Sequence, residues 1–169
     1  GKGKEYEDDK LIFEGEYLIG EKWNGKGNKV VDKFNNKFNS FYELKNGKGF
    51  IMLIGKDNYF VEGEYCKGKL NGKGKINYPN GAKYEGEFKD DYIEGFGIYH
   101  DVSGNRYEGE YSFGKIEGYG AFYGYNGDRY EGEFKDGKFE GYGIYYYNNG
   151  EKYLGQLKNN SIDGYGIDS

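Results

Sequence analysis

One short segment returns along this chain at a fixed interval of 23 residues. It reads VEGEY at 61, YEGEF at 84, YEGEY at 107, YEGEF at 130 and YLGQL at 153. A unit this short cannot bury a face by itself, so stacked neighbours must supply the core. That predicts a repeat array, in which no single cleft is unique. Counting from the first residue of each segment, glycine returns at position 3 (Gly63, Gly86, Gly109, Gly132, Gly155) and position 12 (Gly72, Gly95, Gly118, Gly141, Gly164). It also returns at position 14 (Gly74, Gly97, Gly120, Gly143, Gly166) and position 21 (Gly81, Gly104, Gly127, Gly150).

This aromatic-x-Gly-x-aromatic segment, followed by Gly-x-Gly, resembles the MORN (membrane occupation and recognition nexus) repeat family. The resemblance covers nearly the whole chain, about seven repeats. The chain departs from the family at position 5, often Trp there and here Tyr65, Phe88, Tyr111, Phe134 and Leu157. The resemblance implies an elongated antiparallel sheet of successive hairpins. It says less about task, because unrelated proteins use such repeats.

Composition agrees with β-structure. Only 36% of residues are hydrophobic, but 20% are aromatic, which argues against a disordered chain. The 32 glycines argue against long helices, where each costs about 1 kcal/mol relative to Ala. No apolar run approaches the roughly 20 residues that span a bilayer, and no signal peptide is recognisable. The single Cys66 cannot form an internal disulfide, which favours a reducing compartment.

In chain order, Gly1-x-Gly3 has the spacing to Phe13 that Gly95-x-Gly97 has to Tyr107, so residues 1–12 read as a partial unit. Further units start near 13, 38, 61, 84, 107, 130 and 153, giving one array over 1–169. The chain is either a piece of a longer array or an array with two incomplete ends. Residues 28–60 are degenerate: Ser40 stands at position 3, and Gly47 and Gly49 arrive two places early. The apolar run Phe50 to Gly55 reads as a strand with its own buried face.

The regular units read as hairpins. In the unit from 130, Asp136-Gly137 turns one strand into the next, and Asn149-Gly150 turns the chain again. A two-residue loop at Asp136-Gly137 would set Tyr130 opposite Gly143 and Gly132 opposite Gly141, each ring filling the space over a glycine. Side chains alternate faces, so an odd period keeps the tyrosines on one face only if each unit has an odd-length loop or a bulge. The position-21 glycine suits that role.

The fold expected is therefore all-β, a twisted single-layer ribbon with two strands per unit. One face would carry Tyr84, Phe88, Tyr99, Tyr107, Tyr111, Phe122, Tyr130, Phe134, Tyr145 and Tyr153. The other would carry the glutamates of positions 2 and 4 with Phe96, Tyr119 and Tyr142. Recurring rings on a sheet with no second layer make the first face the expected contact surface for a protein partner or a second copy of the chain.

Nothing points to catalysis. Paired glutamates such as Glu131 and Glu133 recur in successive units, whereas acid–base pairs belong to one cleft. Gly-x-Gly here lacks the strand–loop–helix context of a phosphate loop. His100 and Cys66 have no metal-ligand spacing, and neither a cofactor nor a small-molecule substrate is expected. Residues 84–169 carry 8 basic and 17 acidic groups, which argues against nucleic acid. The basic cluster Lys67, Lys69, Lys73 and Lys75 is a candidate anion or lipid contact.

These readings favour a non-catalytic protein-interaction scaffold. The resemblance adds that such repeats occur in cytoskeletal and ciliary scaffolds, in junctophilins and plant phosphatidylinositol phosphate kinases, and ahead of a methyltransferase domain. A peripheral phospholipid adaptor and an accessory domain of a lipid kinase or methyltransferase are the alternatives. The place expected is cytoplasmic, at the cytoskeleton or the inner membrane surface.

Overall fold

The computed structural model describes residues 2–7, 9–18, 21–33, 36–45, 48–55, 59–67 and 69–168. Gly1 and Gly47, used above to phase the early units, lie outside them. Among the described residues all regular structure is β, and none forms a helix long and apolar enough to cross a membrane. Contacts divide the chain into two compact units, Gly1–Asn80 with Phe88–Asp91 and Gly81–Glu87 with Tyr92–Ser169.

The first unit holds β1 (Lys2–Glu7), β2 (Lys10–Leu18), β3 (Glu21–Lys33), β4 (Asn36–Lys45), β5 (Lys48–Ile54), β6 (Phe60–Cys66) and β7 (Lys69–Asn77). Each pairs antiparallel with the next. Aliphatic residues fill much of its core, with Leu44, Ile51, Leu53, Val61, Leu70 and Ile76 buried, as is Phe13. Ile51 and Leu53 are the buried face of the apolar run. The β4–β5 ladder runs from Asn39↔Ile54 to Lys45↔Lys48 without a shift, whereas the β6–β7 ladder shifts between Gly63 and Tyr65.

β8 (Lys83–Lys89) begins in the second unit, beside β9 (Tyr92–His100). Then follow β10 (Arg106–Ser112), β11 (Lys115–Tyr123), β12 (Arg129–Lys135), β13 (Lys138–Tyr146), β14 (Lys152–Lys158) and β15 (Ser161–Asp168). From β9 onward each again pairs antiparallel with the next.

Two kinds of turn alternate. The tight ones, such as Asp136-Gly137 (φ 48° and 76°) and Asn159-Asn160 (φ 49° and 67°), place both central residues at positive φ, as two-residue hairpins require. The wider ones are closed by bonds such as Gly124 N–H to the Asp128 carbonyl at 2.8 Å, leaving three residues between. In them the position-21 glycines Gly104, Gly127 and Gly150 take φ of 92°, 91° and 94°. This odd loop returns the tyrosines to one face in every repeat.

The register inside each hairpin differs from the one expected. Tyr130 lies opposite Tyr145, and Gly132 opposite Gly143. The cause is a bulge that alternation does not reveal. Between Glu140 and Gly143 the return strand carries two extra residues, Gly141 and Tyr142, and Gly141 takes φ 64° to admit them. Gly118 and Gly164 take positive φ at the same place, where the ladders of their own hairpins shift.

Candidate interaction face

The structure makes the rings of the predicted aromatic row core residues and not an open surface. Tyr84, Phe88, Tyr107, Tyr111, Tyr130, Phe134 and Tyr153 are all buried, and Tyr99, Phe122 and Tyr145 are half-buried. The rings lie down along the sheet. An added Cβ on Gly120 would stand 2.6 Å from the Tyr107 hydroxyl oxygen, and one on Gly109 would stand 2.6 Å from the Gly120 Cα. A facing glycine pair thus makes the slot that each tyrosine ring fills. Neighbouring repeats then meet edge to face, with Tyr107 and Phe134 centroids 4.9 Å apart and Tyr84 and Tyr111 5.3 Å apart. Phe139 at position 10, absent from the expected row, stacks on Tyr130 at 4.2 Å.

The hydroxyl explains why position 1 is Tyr. Tyr107 donates to the Glu110 carbonyl at 3.0 Å, Tyr130 to the Glu133 carbonyl at 3.0 Å, and Tyr153 to the Gln156 carbonyl at 3.1 Å. These carbonyls sit where the bulge interrupts the ladder, so the phenol supplies the donor that the neighbouring strand does not. Burial pushes the Tyr130 phenol up to about 12 and raises that of Tyr107 further.

The opposite face of the second unit is built of three rows. Arg106, Tyr123, Arg129 and Tyr146 alternate along the first, with the Arg106 guanidinium 4.3 Å above the Tyr123 ring and that of Arg129 5.3 Å from the Tyr146 ring. In the second row Glu108 pairs with Arg106 at 3.0 Å and Glu131 pairs with Arg129. The third carries the position-13 rings on the side that alternation gives them: Phe96, Tyr119, Tyr142 and Tyr165 are 53%, 63%, 63% and 96% exposed. Glu110 stands between Phe96 and Tyr119, Glu133 between Tyr119 and Tyr142, and Gln156 lies opposite Tyr142, while Glu87 precedes the row on β8. The Glu110 and Glu133 carboxylates accept the backbone N–H groups of Tyr119 at 3.2 Å and Tyr142 at 3.4 Å. Among the described residues no Lys or Arg pairs with Glu87, Glu110 or Glu133.

The basic cluster is divided. Lys67 and Lys69 lie at the hairpin end, where Lys69 pairs with Asp90 at 3.6 Å. Lys73 and Lys75 lie along β7, with Lys75 opposite Glu62 and the Lys73 N–H donating to Glu64 at 3.1 Å. A depression of about 770 Å³ beside the turn is lined by Glu64, Cys66, Lys67, Lys69 and Asp90, so acids accompany the lysines there too. Among the described residues no cluster of His, Cys, Asp and Glu could hold a metal ion.

A family model for the MORN repeat matches residues 62–83, 84–106, 107–129 and 130–152 in tandem. No curated protein matches the chain.

Proposed function

The chain belongs to the MORN repeat family, generally a non-catalytic module for protein or membrane interaction, and we propose that it is a protein-interaction scaffold. The observation that carries this reading is the exposed ladder Phe96, Tyr119, Tyr142 and Tyr165. Large rings facing water at a regular interval have no role in the core, which the inner row already fills. Tyr suits a contact that must also tolerate water, because the ring is rigid and the hydroxyl is polar. The contact surface thus lies on the face opposite the one that alternation alone selects. The chain carries no reaction in this reading. Attachment to the cytoskeleton, or to a larger membrane-associated protein, is compatible with it.

A phospholipid role draws less support, since Lys69 and Lys75 each face an acid. The test uses immobilised chain, with captured proteins identified by mass spectrometry. Tyr119→Ser with Tyr142→Ser is expected to abolish capture at an unchanged melting temperature. Tyr111→Ser with Phe134→Ser is expected to lower the melting temperature instead. Strong flotation with anionic liposomes that depends on Lys67 and Lys73, with no protein retained, would replace the scaffold reading by the membrane one.

A further inference from the structure

The proposed interaction face has a spacing and a charge that together select one kind of ligand. Its rings occur once per repeat, hence on every second strand. Strands about 4.8 Å apart place successive rings roughly 9.6 Å apart, with Glu110 about midway between Phe96 and Tyr119 and Glu133 between Tyr119 and Tyr142. An extended β-strand repeats its side chains about every 6.8 Å and falls out of step after one ring. A polyproline II helix advances about 9.3 Å in each three-residue turn and stays in step over several. It also arrives already ordered, so little conformational entropy is lost on docking, and proline packs flat on aromatic rings.

Charge narrows the ligand further. Glu108 and Glu131 of the adjoining row are neutralised by Arg106 and Arg129, whereas Glu110 and Glu133 between the exposed rings, and Glu87 before the first of them, have no cationic partner among the described residues. Residues 84–169 carry 17 acidic groups against 8 basic ones, so the surrounding field also attracts cations. From this spacing and charge, and resting on the interaction-face reading above, we propose that the ladder Phe96, Tyr119, Tyr142 and Tyr165 docks a basic, proline-rich segment in polyproline II conformation. One proline per turn lies on a ring, and an Arg or Lys from the same turn reaches the carboxylate beside it.

The test titrates the folded chain with a synthetic peptide of repeated Pro-Ala-Arg triplets, followed by fluorescence anisotropy. Two controls are a peptide of the same composition with the prolines out of period and a peptide of Pro-Ala-Glu triplets. The triplet Arg peptide is expected to bind at least about tenfold more tightly than either control, and to weaken as salt is raised. Tyr119→Ser with Tyr142→Ser should weaken it about tenfold or more, the loss expected for central aromatic contacts. Glu110→Gln with Glu133→Gln keeps acceptors for the bulge N–H groups, so it should leave the melting temperature unchanged and remove the salt dependence. Equal binding of the out-of-period peptide, or none of the triplet peptide, overturns this inference. The interaction-face reading then stands on whether the Tyr119→Ser, Tyr142→Ser chain loses its captured protein. If that variant keeps its partner, the face itself is wrongly assigned.

Discussion

The carboxylate of Glu117 accepts the backbone N–H of Asp136 at 3.1 Å, across the boundary between two repeats. The relation recurs with Glu94 on the Phe113 N–H at 2.9 Å and Glu140 on the Asn159 N–H at 3.1 Å. A second bond joins the same places, as in Gly137 N–H to the Ile116 carbonyl at 3.0 Å. Position 11 therefore fixes the hairpin turn of the following repeat. Glu117→Ala is expected to destabilise by about 1 kcal/mol, as for a partly exposed hydrogen bond. It should also speed hydrogen exchange at the Asp136 amide more than at Gly120. An unchanged Asp136 amide would reduce the bond to a surface contact.

The fit of ring over glycine can be tested from both sides. Gly120→Val sets a branched side chain against the Tyr107 ring and should cost about 1–3 kcal/mol, the overpacking range. Tyr107→Phe keeps the ring and removes the bond to the Glu110 carbonyl, for about 1 kcal/mol. Urea midpoints measure both. An unmoved midpoint for Gly120→Val would remove the packing argument, whatever Tyr107→Phe does.

Phe113 opens a tight turn at φ 47°, where a bulky side chain is strained. Other units place Lys67, Asp90, Asp136 or Asn159 there. The Phe113 side chain is exposed, and its ring contact is Tyr92 at 5.8 Å. Phe113→Asn is expected to stabilise the chain by about 1 kcal/mol, by relieving the left-handed conformation. A lowered thermal midpoint would show that the Tyr92 contact outweighs the strain.

Alkaline pH should unfold the second unit through its phenols. Burial raises Tyr130 and Tyr145 to about 12, above the ordinary value of 10.0. An unfolded chain gives up these protons first, so the folded state binds more of them between the two values. The stabilisation is whole below about pH 10, and it falls as pH rises toward about 12. Tyrosinate absorbance should therefore rise in two stages, the later one coinciding with loss of the β-sheet circular dichroism. A single early stage, with the sheet intact, would contradict the buried hydroxyls.

How much of this could be read beforehand depends on the range of the interaction. The interval between VEGEY, YEGEF and YEGEY fixed the hairpins and the side that Tyr107 and Tyr130 share, because alternation along a strand is local. It could not show that the shared side is covered. That follows from glycine pairs such as Gly109 and Gly120, which let each ring lie flat against its neighbours. The register of Gly132 was missed because Gly141 and Tyr142 form a bulge, and a glycine at positive φ looks like any other glycine in sequence. Tyr119 and Tyr142 lie on the face that alternation gives them, and the candidate face moved to them because the inner row is buried. The role of Glu117 is invisible in its own repeat because its partner belongs to the next one.

The bonds from Glu94, Glu117 and Glu140 to the turns that follow them have the same form in successive repeats, so the repeats are interchangeable at their seams. Excising 107–129 would leave Glu94 facing the turn at Asp136 and Tyr84 beside Phe134, the kinds of neighbour that both already have. Such a splice shortens the chain without creating a new junction. Length can then vary in whole repeats while every internal joint stays the same, and with it the number of rings offered to a partner.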